Sequence, residues 1–457
     1  MKRSVLFMAL VFALAPAPAR AHTLLSELIV KMLLSDIVLA PPSGPFQSHE
    51  AHFRPILGTG EVASGFDVNQ LEIPLAINAT IISQLSSVPL GSSSGGFAYS
   101  FDPALGTFSR ESRSFGSTFA ERALTAGRGK WNLGFNFQRA TFDTLEGKGL
   151  DNGDVRVYLV HQDCCGERSA PGSPPDPFFE GDVIENRLSL RLTSSVFSAY
   201  ANYGVTDRLD VGLLVPYVTI RMRAQADAHI IRLATSDIPT IHSFDGHGSS
   251  EDVITESSSA EGIGDILLRG KLRVFDAAGG GIAAALDLRL PTGDSEQLLG
   301  SGGVQTKVSF IGSMAAGPFA PHVNIGYTFS NGHEPAPLPG PTPAVPDEIS
   351  YIAGFDLVLH DRLTVSADVL GRTLRDIGRL VPVNRQFSFE TRDGGFGTAT
   401  FEEFSRRPGD LNQSLLATGL RFNVRGNLLL SANVLVSMSN AGLRDKITPV
   451  IGGDYSF

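Results

Sequence analysis

Past the first two dozen residues the sequence has no run of about 18 apolar residues free of charge, so it offers no helix able to span a bilayer. Cysteine is nearly missing. The only two, Cys164 and Cys165, are adjacent; they cannot join distant segments and lack the spacing of a four-ligand zinc site, which leaves a vicinal disulfide or two loop thiols. Charge is sparse at 18% Asp, Glu, Lys and Arg, and the formal balance of −10 is acidic, which argues against a nucleic-acid partner. Phosphate loops and nucleophile elbows are absent as motifs, so the reading is of a non-enzyme without a cofactor. Helical periodicity is scarce as well. With glycine at 49 of 457 residues, the chain reads as all-β, with no linker that would begin a second domain.

The first residues carry Lys2 and Arg3, an apolar run from Val5 to Leu14, and Ala19-Arg20-Ala21, the small-x-small form of a signal-peptidase site. A signal peptide over 1–21 is expected, with the mature chain starting at His22 and, without Lys2, Arg3 and Arg20, more acidic still. Leu24 to Leu39 holds Glu27, Lys31 and Asp36 and reads as an amphipathic helix packed on its own protein, with a periplasmic plug or a membrane-surface helix as alternatives. The connector, opened by Pro41-Pro42-Ser43-Gly44-Pro45, extends to residue 69. From residue 70 onward the expectation is barrel. Leu71 to Leu90 is read as one or two strands, and Phe97 to Phe119, rich in Gly and Ser, fits no position.

Alternation is the dominant pattern. Trp131, Leu133, Phe135 and Phe137 oppose Asn132, Asn136 and Gln138, and a further strand fits Val155 to His161. Leu188, Leu190 and Leu192 oppose Arg187, Ser189 and Arg191, with a phase change expected near Ser195. Val218, Ile220 and Met222 oppose Thr219, Arg221 and Arg223, after a slip at Leu213-Leu214 that a β-bulge would produce. The hairpin from Gly262 to Asp294 sets Ile266, Leu268, Leu272 and Leu286 against Asp265, Arg269, Lys271, Arg273, Asp287 and Arg289. Further pairs follow to the C-terminus.

Connection lengths sort these ribbons. Turns near 206, 278, 317, 361 and 425 are short, and the alternate connections are long and polar or Pro-rich. That is the pattern of a transmembrane antiparallel β-barrel with periplasmic turns and outer loops; a soluble sandwich has no reason to show it. In the last long loop, Phe387 and Phe389, Asp393-Gly394-Gly395 and Phe396 predict a hairpin above the membrane or folded inward. Twelve strands are expected, counting the one at Val155 as first, with fourteen as the other possibility. Trp131, Tyr217, Phe275, Tyr327, Phe329, Phe422, Tyr455 and Phe457 are candidate interfacial rings in contact with outer-membrane lipid.

If the polar faces line the lumen, the pore is lined by Arg187, Arg191, Arg221, Arg223, Asp265, Arg269, Lys271 and Arg273, and farther on by Asp287, Arg289, Lys307, Asp356, Asp368, Arg372 and Arg421. With Glu185, Asp227 and Asp454 added, Arg and Lys still outnumber the carboxylates. Such a lumen favours anionic small-molecule solutes unless the charges pair into an Arg–carboxylate ladder that leaves little field. No metal site is expected: His49 and His52 lack a third ligand, as do His242 and His247. A hydrolase would need a pair such as His322 with Ser309, which a Ser-rich barrel offers by chance.

The chain's end, Ile447 to Phe457 with Tyr455 two places before the terminal Phe, resembles the closing strand of bacterial outer-membrane barrels; that resemblance implies recognition by the barrel-assembly machinery. Three internal stretches carry a second one. Tyr203-Gly204-Val205-Thr206-Asp207-Arg208-Leu209-Asp210-Val211-Gly212 with Pro216-Tyr217, Gly262-Ile263-Gly264-Asp265 through Lys271, and Leu290-Pro291-Thr292-Gly293-Asp294 resemble a family of outer-membrane channels named after a component of the meta-pathway of phenol degradation. The resemblance spans roughly 184–457 and implies a barrel passing small, aromatic solutes. It transfers no catalytic residue, because the shared Gly, Pro and Asp positions are turn chemistry. A structural or assembly barrel with a filled lumen and partner-binding loops is the alternative.

Overall fold

The computed structural model describes residues 24–34, 36–40, 68–85, 96–102, 107–160, 181–277, 280–333 and 344–457. The expected signal peptide, most of the connector, His49 and His52, and Cys164 and Cys165 lie outside these residues.

Twelve strands make the wall: β1 (Trp131–Phe142), β2 (Val183–Gly204), β3 (Leu209–Ile231), β4 (Ile266–Ala277), β5 (Gly280–Leu290) and β6 (Gly303–Ser313), then β7 (Phe319–Gly332), β8 (Glu348–His360), β9 (Leu363–Leu374), β10 (Leu411–Arg425), β11 (Leu428–Ser437) and β12 (Ile447–Ser456). Each pairs antiparallel with the next, and β12 returns to β1 with Ile451 opposite Phe137, so the sheet closes and has no edge. Closure is what hydrocarbon demands, since an unpaired backbone group there costs several kcal/mol. The strand number agrees with expectation, but the first strand is Trp131–Phe142. Val155–Val160 pairs only with the upper end of β2, and Glu251–Ile263 with the upper end of β3, so both stand outside the closed ring.

The wall's outer surface is apolar. Along β1 the exposed side chains are Trp131, Leu133, Phe135 and Phe137, while Asn132, Asn136 and Gln138 are buried inside. An inverted pattern of this kind, greasy outside and polar within, belongs to a transmembrane barrel of the outer-membrane type. Trp131, Phe422, Tyr455 and Phe457 are exposed near the short-turn end, where Tyr455 and Phe457 pack at 5.8 Å between ring centroids and Trp131 meets Tyr203 at 4.7 Å. They form the lower ring of interfacial aromatics.

Strands β2 and β3 are the longest and correct two expectations. Their pairing runs from Val183↔Ile231 to Gly204↔Asp210 without a break, so there is no phase change at Ser195 and no bulge at Leu213-Leu214. What changes along them is the environment. Leu188, Leu190, Leu192, Ser198, Tyr200 and Asn202 all point inward, but the first three meet an apolar filling and the last three a polar one. Outside, Phe197 and Tyr203 face lipid, whereas Arg187, Arg191, Arg221 and Arg223 stand above it. These four arginines were expected in the lumen; they are exposed on the outer face, because above the membrane the inner face packs on helices and the outer face meets water.

That filling comes from the N-terminal part. Helix α1 (Leu28–Leu34) and helix α2 (Val68–Leu85) sit in the long-loop mouth. Leu25, Leu28, Ile29, Met32, Leu33, Ile77 and Ile81 pack with Leu188, Leu190, Leu192, Ile220 and Met222 in one buried cluster. Burial of each such side chain is worth ~1.5–3 kcal/mol, enough to hold two short helices that water would melt. The amphipathic helix is therefore shorter than Leu24 to Leu39 and packed on its own protein. Leu71 to Leu85 is helical rather than extended: Ile73, Ile77, Ile81 and Leu85 recur every four residues, and tertiary burial overrides the strand preference of its Ile and Thr. The hairpin Arg379–Glu390 and Phe396–Arg407 covers this mouth, Leu380 and Phe404 entering the same cluster and Phe401 stacking on Tyr158 at 4.9 Å.

Candidate functional site

Below the helices the lumen is crossed by the segment from Gly96 to Gly127, which the sequence left unplaced. It begins with the hairpin Tyr99–Asp102 and Thr107–Arg110 at the short-turn end, where Phe97 and Phe115 pack on Leu429. From Glu111 to Ala126 it has little regular structure of its own, and its polar groups are satisfied by the wall. Ser114 donates to Asp356 at 2.9 Å, the Phe115 amide to Thr364 at 3.2 Å, Ser117 to Asp368, and the Ala126 amide to Asp210 at 3.0 Å. Asn324 brackets Glu121, accepting from its amide at 2.8 Å and donating to its carbonyl at 2.9 Å.

The plug also brings its own charges to the wall's cations. Glu121 pairs with Arg269, whose other edge binds Asp287 at 2.5 and 2.6 Å, and lies 3.5 Å from Lys271. Lys271 is fully buried, donates to the Leu124 carbonyl at 2.8 Å and sits 3.8 Å from Asp210. Glu111 accepts two bonds from Arg273 at 3.0 and 2.9 Å. Arg421 donates to the Phe115 carbonyl at 2.9 Å, and Arg122 of the plug to the Ser114 and Gly96 carbonyls at 2.9 and 3.1 Å. His322 lies between Asp368 at 2.6 Å and Asp356 at 3.9 Å; Ser313, not Ser309, is opposite it across the strands. Buried ions of this sort cost several kcal/mol each unless paired, so wall and plug are electrostatically complementary parts.

Between the plug and the helices lies a cavity of about 280 Å³. Its wall follows one rung of the sheet, Arg269↔Asp287↔Lys307↔Thr328↔Glu348, carried across five strands by register. The next rung adds Ser309, Gly326, Ser350, Arg372 and Gln413. Gly326 leaves the space over which Lys307 lies, since a Cβ there would meet Lys307 Cε at 2.6 Å. The facing side is apolar, with Phe119, Leu370, Leu415, Leu435 and Leu443, and Ser83 and Gln84 of α2 form the roof. Gln84 and Gln413 are hydrogen-bonded at 2.6 Å, joining roof to wall.

The predicted lumenal residues thus divide into groups. Lys271, Arg273, Asp356, Asp368 and Arg421 point inward and are engaged by the plug. Asp287, Arg289, Lys307 and Arg372 line the cavity with Arg269, which also belongs to the plug contact. Asp265 is buried at the upper rim, accepting from the Gly293 and Ser301 amides at 3.1 and 2.7 Å, and so shapes a loop. Arg187, Arg191, Arg221 and Arg223 are outside the barrel. His242 is buried against Asp182 at 2.8 Å, and among the described residues no group of His, Cys, Asp and Glu could hold a metal ion. Sequence reasoning missed Glu111, Ser114, Ser117, Glu121 and Arg122. The signal available was a Gly- and Ser-rich stretch carrying a few charges in a chain otherwise built of strands.

No family model and no curated protein matches the chain. Among solved structures it is similar to an outer membrane channel from Pseudomonas putida F1, with 12% identity and TM-score 0.41 over 72% of this chain and 96% of that one. It is also similar to a FadL homologue from Pseudomonas aeruginosa, with 11% identity and TM-score 0.30 over 73% and 90%, and to the toluene transporter TbuX of Ralstonia pickettii, with 13% identity and TM-score 0.28 over 72% and 90%. Likeness at these scores carries no argument of its own. What places the chain in the outer membrane is its closed twelve-stranded wall, apolar outside and polar within.

Proposed function

We propose that the chain is an outer-membrane channel for small amphipathic solutes, an anionic group on an apolar body, and that the Gly96–Gly127 segment is its removable closure. The observation that carries this reading is the cavity, where Arg289, Lys307 and Arg372 line one side together with Asp287 and Glu348, and leucines line the other. A carboxylate or phenolate would lie toward the cations, and its ring or chain toward Leu370, Leu415 and Leu435. The phenol-pathway resemblance of the sequence points toward aromatic solutes. The pore-lining set then reduces to Arg269, Asp287, Arg289, Lys307 and Arg372, with the deeper charges as the seat of the closure. Recognition of the closing strand by the barrel-assembly machinery belongs to the same reading, as does the leader over 1–21.

Liposomes holding the purified protein test it. Uptake of benzoate exceeding that of a neutral sugar of similar size, and reduced in Lys307→Gln, is the expected result; equal, negligible entry of both would remove the channel. A second reading, a barrel whose lumen is permanently filled, is favoured by the plug's ion pairs. Under it, no variant of the plug alters permeability.

A further inference from the structure

We propose that the outer face of β1–β3 is a binding site for a phosphorylated glycolipid of the outer leaflet. The upper edge of the lipid-facing surface is marked on these strands by a row of rings, Phe137↔Phe197↔Tyr217. Above it arginines climb the same face rung by rung: Arg139 opposite Ser195, then Arg221 opposite Thr193, then Arg191 opposite Arg223. All four arginines are exposed, and among the described residues none has a carboxylate within ion-pair distance.

Arg191 and Arg223 are the informative pair. Like charges directly opposed across a sheet repel, and among the described residues no carboxylate pairs with either. Farther up, Arg187 of the same strand as Arg191 and Arg156 of the adjoining Val155–Val160 strand share Glu185 at 2.8 and 3.5 Å, so a partner acid is supplied where one is needed for the fold. Two described acids flank the patch on this face, Glu261 opposite Thr219 and, two rungs above Arg223, Asp227, which accepts from Gln225 at 2.8 Å; neither pairs with any of the four.

Height selects the ligand. With ~3.3 Å per residue and a strand tilt of ~40°, the three rungs lie roughly 5, 10 and 15 Å above the aromatic row. A phospholipid headgroup layer is only about 5–7 Å deep, so it reaches the Arg139 rung and no higher. A sugar headgroup bearing phosphates is tall enough to reach all three, and guanidinium groups bind phosphate oxygens in pairs. The intervening Thr193, Ser195, Thr219 and Ser259 supply hydroxyls for the sugar. This surface is separate from the cavity, so the inference stands whether or not the channel reading does.

The test uses the full-length protein in phosphatidylethanolamine vesicles containing either bisphosphorylated lipid A or its dephosphorylated form. Glycolipid retained per protein after detergent extraction is the readout. Arg139→Ser/Arg221→Ser and Arg191→Ser/Arg223→Ser should each lower retention about tenfold, which corresponds to ~1.4 kcal/mol, and excess inorganic phosphate should not displace the lipid. Equal retention by both pair variants and the native protein, or of both lipids, overturns the proposal. Complete displacement by phosphate overturns the glycolipid assignment. Heat-shifted gel mobility checks that each variant is a folded barrel, and either pair variant alone suffices if the other does not fold.

Discussion

Arg269 on the barrel wall and Glu121 on the lumenal segment form a buried ion pair, and Asp287 holds the opposite edge of the same guanidinium. The contact joins two parts far apart in sequence and places the boundary between the plug and the cavity at a single side chain. It gives the plug a release point: Arg269 keeps one acid when Glu121 withdraws.

Glu121→Gln should loosen the plug without opening the barrel wall. Leaving Arg269 and Lys271 with one acid fewer costs ~3–5 kcal/mol of docking, so amide hydrogen exchange over 114–126 should accelerate about 10²- to 10⁴-fold while that of β4 and β5 does not change. Unchanged protection would mean that backbone bonds to Asn324 and Asp210 hold the segment by themselves.

Leu190 and Arg191 are neighbours with opposite surroundings, and substitution separates them. Leu190→Ala empties a fully packed site in the buried cluster that holds the helices and should cost ~2–5 kcal/mol in unfolding free energy, whereas Arg191→Ala should remain within ~0.5 kcal/mol. Chemical denaturation of the barrel in detergent reads both. The reverse ranking would put Arg191 inside.

Gly326→Ala should act through Lys307. The added methyl meets Lys307 Cε at 2.6 Å and pushes the ammonium off its rung, so anionic solute binding should fall as it does in Lys307→Gln, with a neutral aromatic little affected. Isothermal titration calorimetry with the two solutes checks this. Equal losses for both would point to a general collapse of the cavity.

Acid should loosen the plug's lower tether. The Arg113 guanidinium, 2.8 Å from Asp361 in a short turn, holds that carboxyl below its usual range. A carboxyl depressed in the folded state adds stability above its unfolded pKa, ~4 for Asp, and loses it as pH falls through the folded value. The pair is exposed and screened by salt, so the effect is small. Proteolysis near Arg113 should rise below pH ~4, and Asp361→Asn should show that faster cleavage at neutral pH already.

Much of the architecture was legible because period-two alternation survives wherever one face meets lipid. Trp131 to Phe137 and the strands from β4 onward read correctly on that ground. The same rule misled at Arg187, Arg191, Arg221 and Arg223, since alternation fixes two faces but not which is inner, and above the bilayer the apolar face turns to α1 and α2. Leu188 and Phe197 lie on opposite faces of one unbroken strand, and the apparent phase change between them is a change of surroundings. The plug was illegible for another reason. Ser114, Ser117 and Glu121 act only against wall residues some two hundred positions away, and no local period records such contacts.

Single-channel recording in planar bilayers tests the central claim, a removable plug over a conducting lumen, most directly. The account predicts rare, brief openings for the native protein and long anion-selective openings for Glu111→Gln/Glu121→Gln. Silence from both, with the variant folded and inserted, would contradict it and leave a filled structural barrel.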